Sequence, residues 1–424
     1  DLEVSGHPNF LANGIFTHNS RWATHGSVTE ANAHPHADCR HDIYLAHNGI
    51  IENYRELKGE LLKNNHSFIS ETDTEVLVHL IEEIKKRDAQ LPLEEAVRLA
   101  LNMVKGTYGL VVIDKREPEK LVAARNFSPL ILGVGKDELM IASDATAILK
   151  LTDNVIYLSD GEIVVITPHH YRIFTIDNEV IRREPQKLDW DIKTAEKSDF
   201  PHFMLKEINE EPDAVRNSIR GRLNLEEGKA VLGGLLDVQD ELREINRLHI
   251  CACGSAYLAG KVGEYMLEEY AGVPTEVDFA SELRYRKPIF EKSDALLAIS
   301  QSGETADTLS GLYEAKEKKV LTLGIVNVVG STISRETDAG VYEHIGPEIA
   351  VAATKSFVSQ IAILSLLTLF LGRKRNLSLV MGKRIAEELS RIPDLMERIL
   401  SNQDGIKKIA KKYQDHHNFF YLGR

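Results

Sequence analysis

The sequence predicts a multidomain chain, an α+β layered unit followed by a doubly wound α/β unit. Three observations carry this. From residue 40 to 190, strand-like runs outnumber helical ones, as in layered sheets covered by helices. Beyond residue 204, short apolar runs each lead into a helix, the alternation of a parallel sheet. Between the two, "QKLDWDIKTAEKSDFPHFML" is polar and irregular, and 191–204 reads as a linker. The remaining boundaries follow from changes of rhythm: a short turn-rich segment at 1–19, the first unit at 20–190, the second at 205–375, and the opening of another α/β unit at 376–424.

In the first unit, strand-like runs fall at Ile43–His47, Gly109–Ile113, Leu121–Ala124, Leu130–Gly133 and Val155–Leu158. Gly161–Ile176 reads as a hairpin turning near Thr167 and Pro168. One helix begins near "SETDTE". Thr72 with Glu75 fits a capping box, and Val76, Leu77, Leu80, Ile81 and Ile84 share a face. A second helix covers Leu93 to Val104. In the second unit, "LHICAC" leads into a helix from Tyr257 to Glu269, and "ALLAIS" into one from Ala306 to Lys318. "VLTLGIV" precedes a short helix at Ser331–Glu336, then a long one runs from Thr354 to Leu371. Helices fill Leu377 to Lys412, and "HNFFYLGR" reads as a strand.

Composition narrows the function classes. The net charge of −13 argues against nucleic acid as a main partner. An acidic exterior still permits small anions, which local backbone dipoles can hold. Three cysteines make no disulfide framework and fit a reducing cytoplasm. Cys251 and Cys253 alternate in an apolar run, a strand pattern and not a zinc-ligand pair. The most apolar stretch, Phe357–Leu371, is short for a membrane span and carries Ser359, Gln360, Ser365 and Thr368, so it reads as a core helix.

Four groups of residues carry chemistry. "HNS" sets His18, Asn19 and Ser20 in a row. An Asn side chain can attack its own carbonyl and break the following peptide bond. A neighbouring His can protonate the leaving group, and a Ser can accept an acyl group. With "DLEVSGHPNFLANGIFTHN" in front, 1–19 resembles the C-terminal end of an intein. The resemblance implies that Asn19 cyclises, His18 assists and Ser20 opens the host protein.

"RWATHG", "HNGIIENY" and "SETDTE" resemble the glutaminase domain of N-terminal-nucleophile amidotransferases, a type 2 layered sandwich. Glutamine hydrolysis asks for a cation, a carboxylate and an oxyanion hole. Arg21 suits the substrate α-carboxylate and Asp73 its α-ammonium; Asn48 and the Gly49 N–H suit the oxyanion. The resemblance adds Thr24 and His25 to the glutamine pocket and makes Trp22 a gate on the ammonia path. The family's nucleophile is an N-terminal Cys; no Cys here is N-terminal, and Cys39 has no base beside it in sequence. The first part of the domain would then lie upstream of the intein.

"ACGSAY" and "SQSGETADT" each follow a predicted strand and open a helix, where free N–H groups and the helix dipole attract an anion. Ser300, Ser302 and Thr305 add hydroxyls, and Gly303 lets the backbone bend. There is no Lys of the nucleotide P-loop kind. The pattern resembles the sugar isomerase (SIS) domain. With "ASELRYRKP", "VAATKSF" and "MLKEINEEP" it is similar to the glutamine–fructose-6-phosphate aminotransferases over Ser20–Arg424. That implies Ser255, Ser300, Gln301, Ser302 and Thr305 on the phosphosugar, with Val351 lining the site. Where the family reads Cys-Gly-Thr-Ser, this chain has Cys253-Gly254-Ser255-Ala256, which drops one hydroxyl. Lys355 is structural or substrate-proximal, because the family's Schiff-base Lys lies near its extreme C-terminus.

The expected parent activity converts fructose 6-phosphate and glutamine to glucosamine 6-phosphate and glutamate, with no metal or nucleotide cofactor, no membrane, and a homodimer when complete. The chain stops at Arg424, so the 424 residues alone are expected to be inactive. Two competing readings are a non-catalytic phosphosugar-binding SIS protein, which has no use for Arg21, Asn48, Gly49 and Asp73, and a different type 2 amidotransferase, which lacks "SQSGET".

Overall fold

The structure is a computed structural model; it describes residues 9–12, 15–18, 29–149, 151–188, 197 and 199–420. The chain divides into two compact units, Asp1–Trp190 and Asp191–Arg424. The division falls at the start of the expected linker.

In the first unit, β1 (Asn9–Ala12) and β2 (Ile15–His18) form an antiparallel hairpin with Asn9 opposite His18. Then come β3 (His36–Ala37), β4 (Ile43–Ile51), α1 (Tyr54–Lys63), α2 (Thr74–Arg87), α3 (Leu93–Leu101), β5 (Gly106–Asp114) and β6 (Leu121–Asn126). β7 (Ile131–Val134), β8 (Leu139–Ala142), α4 (Ala145–Ile148), β9 (Asn154–Tyr157), β10 (Glu162–Thr167), β11 (His170–Thr175), β12 (Val180–Ile181) and β13 (Gln186–Lys187) follow. A seven-stranded antiparallel sheet has the order β12-β11-β10-β6-β5-β4-β3, and a four-stranded one β13-β9-β7-β8.

Alternation explains the layering, since successive side chains point to opposite faces of a sheet. Ile43, Leu45, Leu110 and Val112 pack against Val76, Leu77, Leu80 and Ile81 of α2 and Leu93 and Val97 of α3. Ala123, Val164 and Ile173 of the larger sheet pack with Leu132 and Ile156 of the smaller one. The result is helices on one face and a second sheet on the other, the predicted layered sandwich.

In the second unit, α5 (Phe203–Ile219), β14 (Leu223–Asn224), β15 (Lys229–Ala230) and α6 (Gln239–Glu244) precede β16 (Arg247–Ala252) and α7 (Gly254–Met266). β17 (Thr275–Phe279), α8 (Ala280–Arg286), β18 (Asp294–Ser300), α9 (Ala306–Glu317), β19 (Leu321–Val326), α10 (Thr332–Glu336) and β20 (Ala339–Tyr342) follow. The chain closes with α11 (Lys355–Lys374), α12 (Leu379–Leu400) and α13 (Gln403–Tyr413). The sheet is parallel with order β17-β16-β18-β19-β20, a doubly wound arrangement that reverses between β16 and β18. α11 is long and apolar enough to cross a membrane, but 78% of its apolar window is buried inside this unit, which fits the core-helix reading.

Several elements depart from the sequence expectation. α1 was not predicted; only Leu57 and Leu61 are buried along its ten residues, a weak periodic signal. β4 runs on past His47 to Ile51, so Asn48 and Gly49 sit within the strand. Glu75 does not cap its helix reciprocally with Thr72; its carboxylate accepts from Ile69 N, Ser70 N and Ser70 Oγ, each at 2.7 Å. α12 buries Ala386 and Leu389 in the core of this unit. No strand forms over 417–420; the rest of the C-terminal run lies outside the described residues.

Candidate functional site

The reversal of strand order opens a cleft at the carboxyl ends of β16 and β18, the place where doubly wound sheets receive ligands. Its volume is about 210 Å³. Ser255, Ser300, Gln301, Ser302, Thr305 and Val351, all expected from sequence, line it together. α7 and α9 both begin at its wall, with Cys253 and Thr305 in the N-cap positions. Their first-turn N–H groups are free for an anion.

The hydroxyls are held before any ligand arrives. Ser300 Oγ lies 2.8 Å from Thr305 Oγ1 and accepts from Gly303 N at 3.1 Å. Ser302 Oγ accepts from Glu304 N at 3.2 Å. Gly303 has φ of +66°, and a Cβ there would collide with the Ser331 side chain, so the loop requires glycine. Glu304 is buried and ties the loop to α10 by accepting from Thr332 N at 2.7 Å.

The opposite wall was only partly legible. Glu348, Ala350, Ala353, Ser356 and Gln360 line it, and of this segment only Val351 was expected at the site. The wall is anchored from α5: Glu207 Oε1 accepts from Ile349 N at 2.6 Å and Ala350 N at 3.0 Å. Lys355 is buried and pairs with Glu210 at 2.8 Å, outside the cleft lining. "MLKEINEEP" thus works as a brace. Behind the cleft, Gln360 Nε2 donates to Glu343 Oε1 at 3.1 Å. Burial pushes the Glu343 carboxyl up to about 8, with the Gln360 bond opposing.

In the first unit, Asp73 stands in the N-cap position of α2, and its Oδ2 accepts from Ile51 N at 2.8 Å. This places the carboxylate two residues along β4 from Gly49. Gly49 has φ of +139°, and a Cβ would strike the Thr107 carbonyl of β5. Asn48 is exposed beside it. His47 is buried, with Nδ1 3.0 Å from Thr74 Oγ1 and Nε2 3.2 Å from Thr107 O. Burial lowers its pKa, with Asp73 opposing, so it stays neutral at physiological pH. Asp73 is thus tied to the strand that carries Asn48 and Gly49. Asn19, Ser20, Arg21, Trp22, Thr24 and His25 lie outside the described residues, as does the side chain of His18.

Sequence reading found no base near Cys39. The fold brings two histidines to it: Sγ lies 3.6 Å from both His66 Nδ1 and His79 Nδ1. Separations of 27 and 40 residues hid this neighbourhood.

Residues 20–150 match the glutamine amidotransferase domain family, and 241–370 match the SIS domain family. A curated relative from Chlorobaculum tepidum, a glutamine–fructose-6-phosphate aminotransferase [isomerizing], is 50% identical over 423 residues, covering 100% of this chain and 69% of its own length. Proteins of the same name from Bacteroides thetaiotaomicron and Thermus thermophilus are 44% and 46% identical, each covering 96% of this chain and 66% of their own length. The chain thus spans about two thirds of the length of the curated relatives it matches. An antiparallel amidotransferase sandwich, a parallel SIS sheet with its cleft, and half-identity across the chain agree: this chain belongs to the glutamine–fructose-6-phosphate aminotransferases, a family of enzymes.

Proposed function

We propose that the protein to which these residues belong takes ammonia from glutamine and transfers it to fructose 6-phosphate, giving glucosamine 6-phosphate and glutamate. The carrying observation is the cleft at the β16–β18 reversal, where six sequence-expected residues converge. Hydroxyls and two helix N-termini suit a phosphate monoester. Among the described residues no lysine or arginine lines the cleft, so recognition rests on dipoles and neutral donors. In the other unit, Asp73 would hold the glutamine ammonium and Arg21 its carboxylate, with Thr24 and His25 beside them. Asn48 and the Gly49 N–H would meet the oxyanion, and Trp22 would gate the ammonia path. The complete protein would act as a homodimer in the cytoplasm. A non-catalytic sugar sensor is disfavoured because it has no use for Asn48, Gly49 and Asp73, the last of which is bonded to the strand that carries the other two. Calorimetric titration separates ligand classes. Fructose 6-phosphate should bind and fructose should not; equal binding of both, or of neither by folded protein, would refute a phosphosugar site.

We further infer that the Asn19–Ser20 bond is a splice junction, with His18 assisting Asn19 and Ser20 accepting the upstream chain. The order His18-Asn19-Ser20 motivates this reading; the amidotransferase family match begins at residue 20, while the Chlorobaculum tepidum relative aligns across 1–19 as well. Mass spectrometry of the protein from its native source should find Ser20 joined to a segment other than 1–19. A mature protein still carrying Asp1–Asn19 ahead of Ser20 would refute it.

A further inference from the structure

The Cys39 neighbourhood lies outside both sites described above. Four potential ligand atoms, from Cys39, His66, His79 and Glu82, all lie within 4.8 Å of one another. Glu82 Oε2 receives His66 Nδ1 at 2.9 Å, His79 Nδ1 at 3.1 Å and Cys39 N at 3.2 Å. Three nitrogens and a thiol crowd one carboxylate oxygen, more than its lone pairs serve well.

We propose that Cys39, His66, His79 and Glu82 form a zinc site. A tetrahedral zinc, with Zn–S of about 2.3 Å and Zn–N of about 2.0–2.1 Å, sets S and N about 3.6 Å apart. Both Sγ–Nδ1 separations are 3.6 Å. The carboxylate–histidine pairs need to open by a few tenths of an ångström to reach about 3.3 Å, the corresponding N–O edge. The distal nitrogen of His66 has the carboxylate partner that zinc-bound histidines take, and that of His79 has a carboxylate just beyond hydrogen-bond reach. His66 Nε2 lies 3.0 Å from Glu83 Oε2, and His79 Nε2 lies 3.6 Å from Glu75 Oε1.

Charge agrees with this assignment. A thiolate and a carboxylate neutralise a divalent ion, leaving no net charge beside the buried histidines. Lys86 sits 3.1 Å from the other carboxylate oxygen, Glu82 Oε1, and is partly exposed, so it leaves Oε2 to the metal. Cys39 is exposed and gives the ion a way in, while the other three ligands are buried. A comparable grouping, His249, Glu276 and Asp278, does not qualify. Arg286 already bridges its two carboxylates at 2.8 and 2.9 Å. The zinc would clamp the 39 turn and the 66 loop onto α2, whose first turn presents Glu75 beside Asp73.

Cobalt(II) and zinc(II), added to the metal-stripped 424-residue chain, test this. One equivalent of cobalt should give intense tetrahedral d–d bands and a thiolate charge-transfer band. Zinc should displace it. Cys39→Ser should abolish the charge-transfer band and weaken zinc binding, measured against a chromophoric chelator, by more than the about 10–100-fold typical of outer-shell changes. Glu83→Gln should weaken it within that range. Cys39 is exposed, so its replacement should keep the fold, checked by circular dichroism; His66→Gln provides a second ligand variant. Absence of tetrahedral bands, or their survival in both ligand variants, would overturn the proposal.

Discussion

Single residues set the conditions under which the cleft exists. Gly303 is the clearest case. Alanine there would carry φ of +66° and drive a methyl into Ser331, so the loop must shift. We expect Gly303→Ala to cost more than about 1 kcal/mol and to abolish fructose 6-phosphate binding, read by denaturant unfolding and calorimetry. Glu343 sets the pH response. Below about pH 4.5 its carboxyl is protonated folded or unfolded and contributes nothing. As pH rises toward about 8, the unfolded chain ionises while burial keeps the folded group protonated, so stability falls across that window and the loss is complete above it. Glu343→Gln keeps an acceptor for Gln360 and removes the ionisation. It should flatten the pH dependence and stabilise the second unit by roughly 2–3 kcal/mol at pH 7. Unfolding profiles of parent and variant that run parallel from about pH 5 to 9 would contradict this.

At the scale of elements, the doubly wound unit was far more legible than the layered one. β18 is buried along its whole length, so it reads as an unbroken apolar run that leads into "SQSGET" and α9. Periodicity and loop chemistry point the same way there. β4 is the contrary case. Its apolar alternation fades at Asn48–Gly49, a pair that favours turns, yet the ladder to β5 continues, pairing Asn48 with Gly109 and Gly49 with Tyr108. Backbone pairing carries the strand where side chains give no signal. The second wall of the cleft was hidden for a related reason. Its shape depends on α5, about 140 residues away in sequence, through Glu207 and the N–H groups of Ile349 and Ala350. Glu207→Ala should therefore weaken fructose 6-phosphate binding although Glu207 does not line the cleft. It leaves two half-buried N–H groups without this partner, at no more than about 1–3 kcal/mol each. Unchanged affinity would show that the wall needs no brace.

Across the whole molecule, sequence order separates the two chemistries and the fold concentrates each. Asp73 is bonded to the strand that carries Asn48 and Gly49, and the residues proposed to hold a phosphosugar, drawn from 255 to 351, line one cleft. Contacts made across long sequence distances, such as those of Cys39, could not be read without the fold. The central claim is that phosphate is held by hydroxyls and helix N-termini at the β16–β18 reversal. The most direct test is the affinity of fructose 6-phosphate for the chain and for Ser302→Ala, measured by calorimetry. Loss of one hydroxyl donor to a charged phosphate, at about 1.5–3 kcal/mol, should weaken binding by roughly 10–100-fold. Equal affinity in a folded variant would place the phosphate elsewhere and contradict the account.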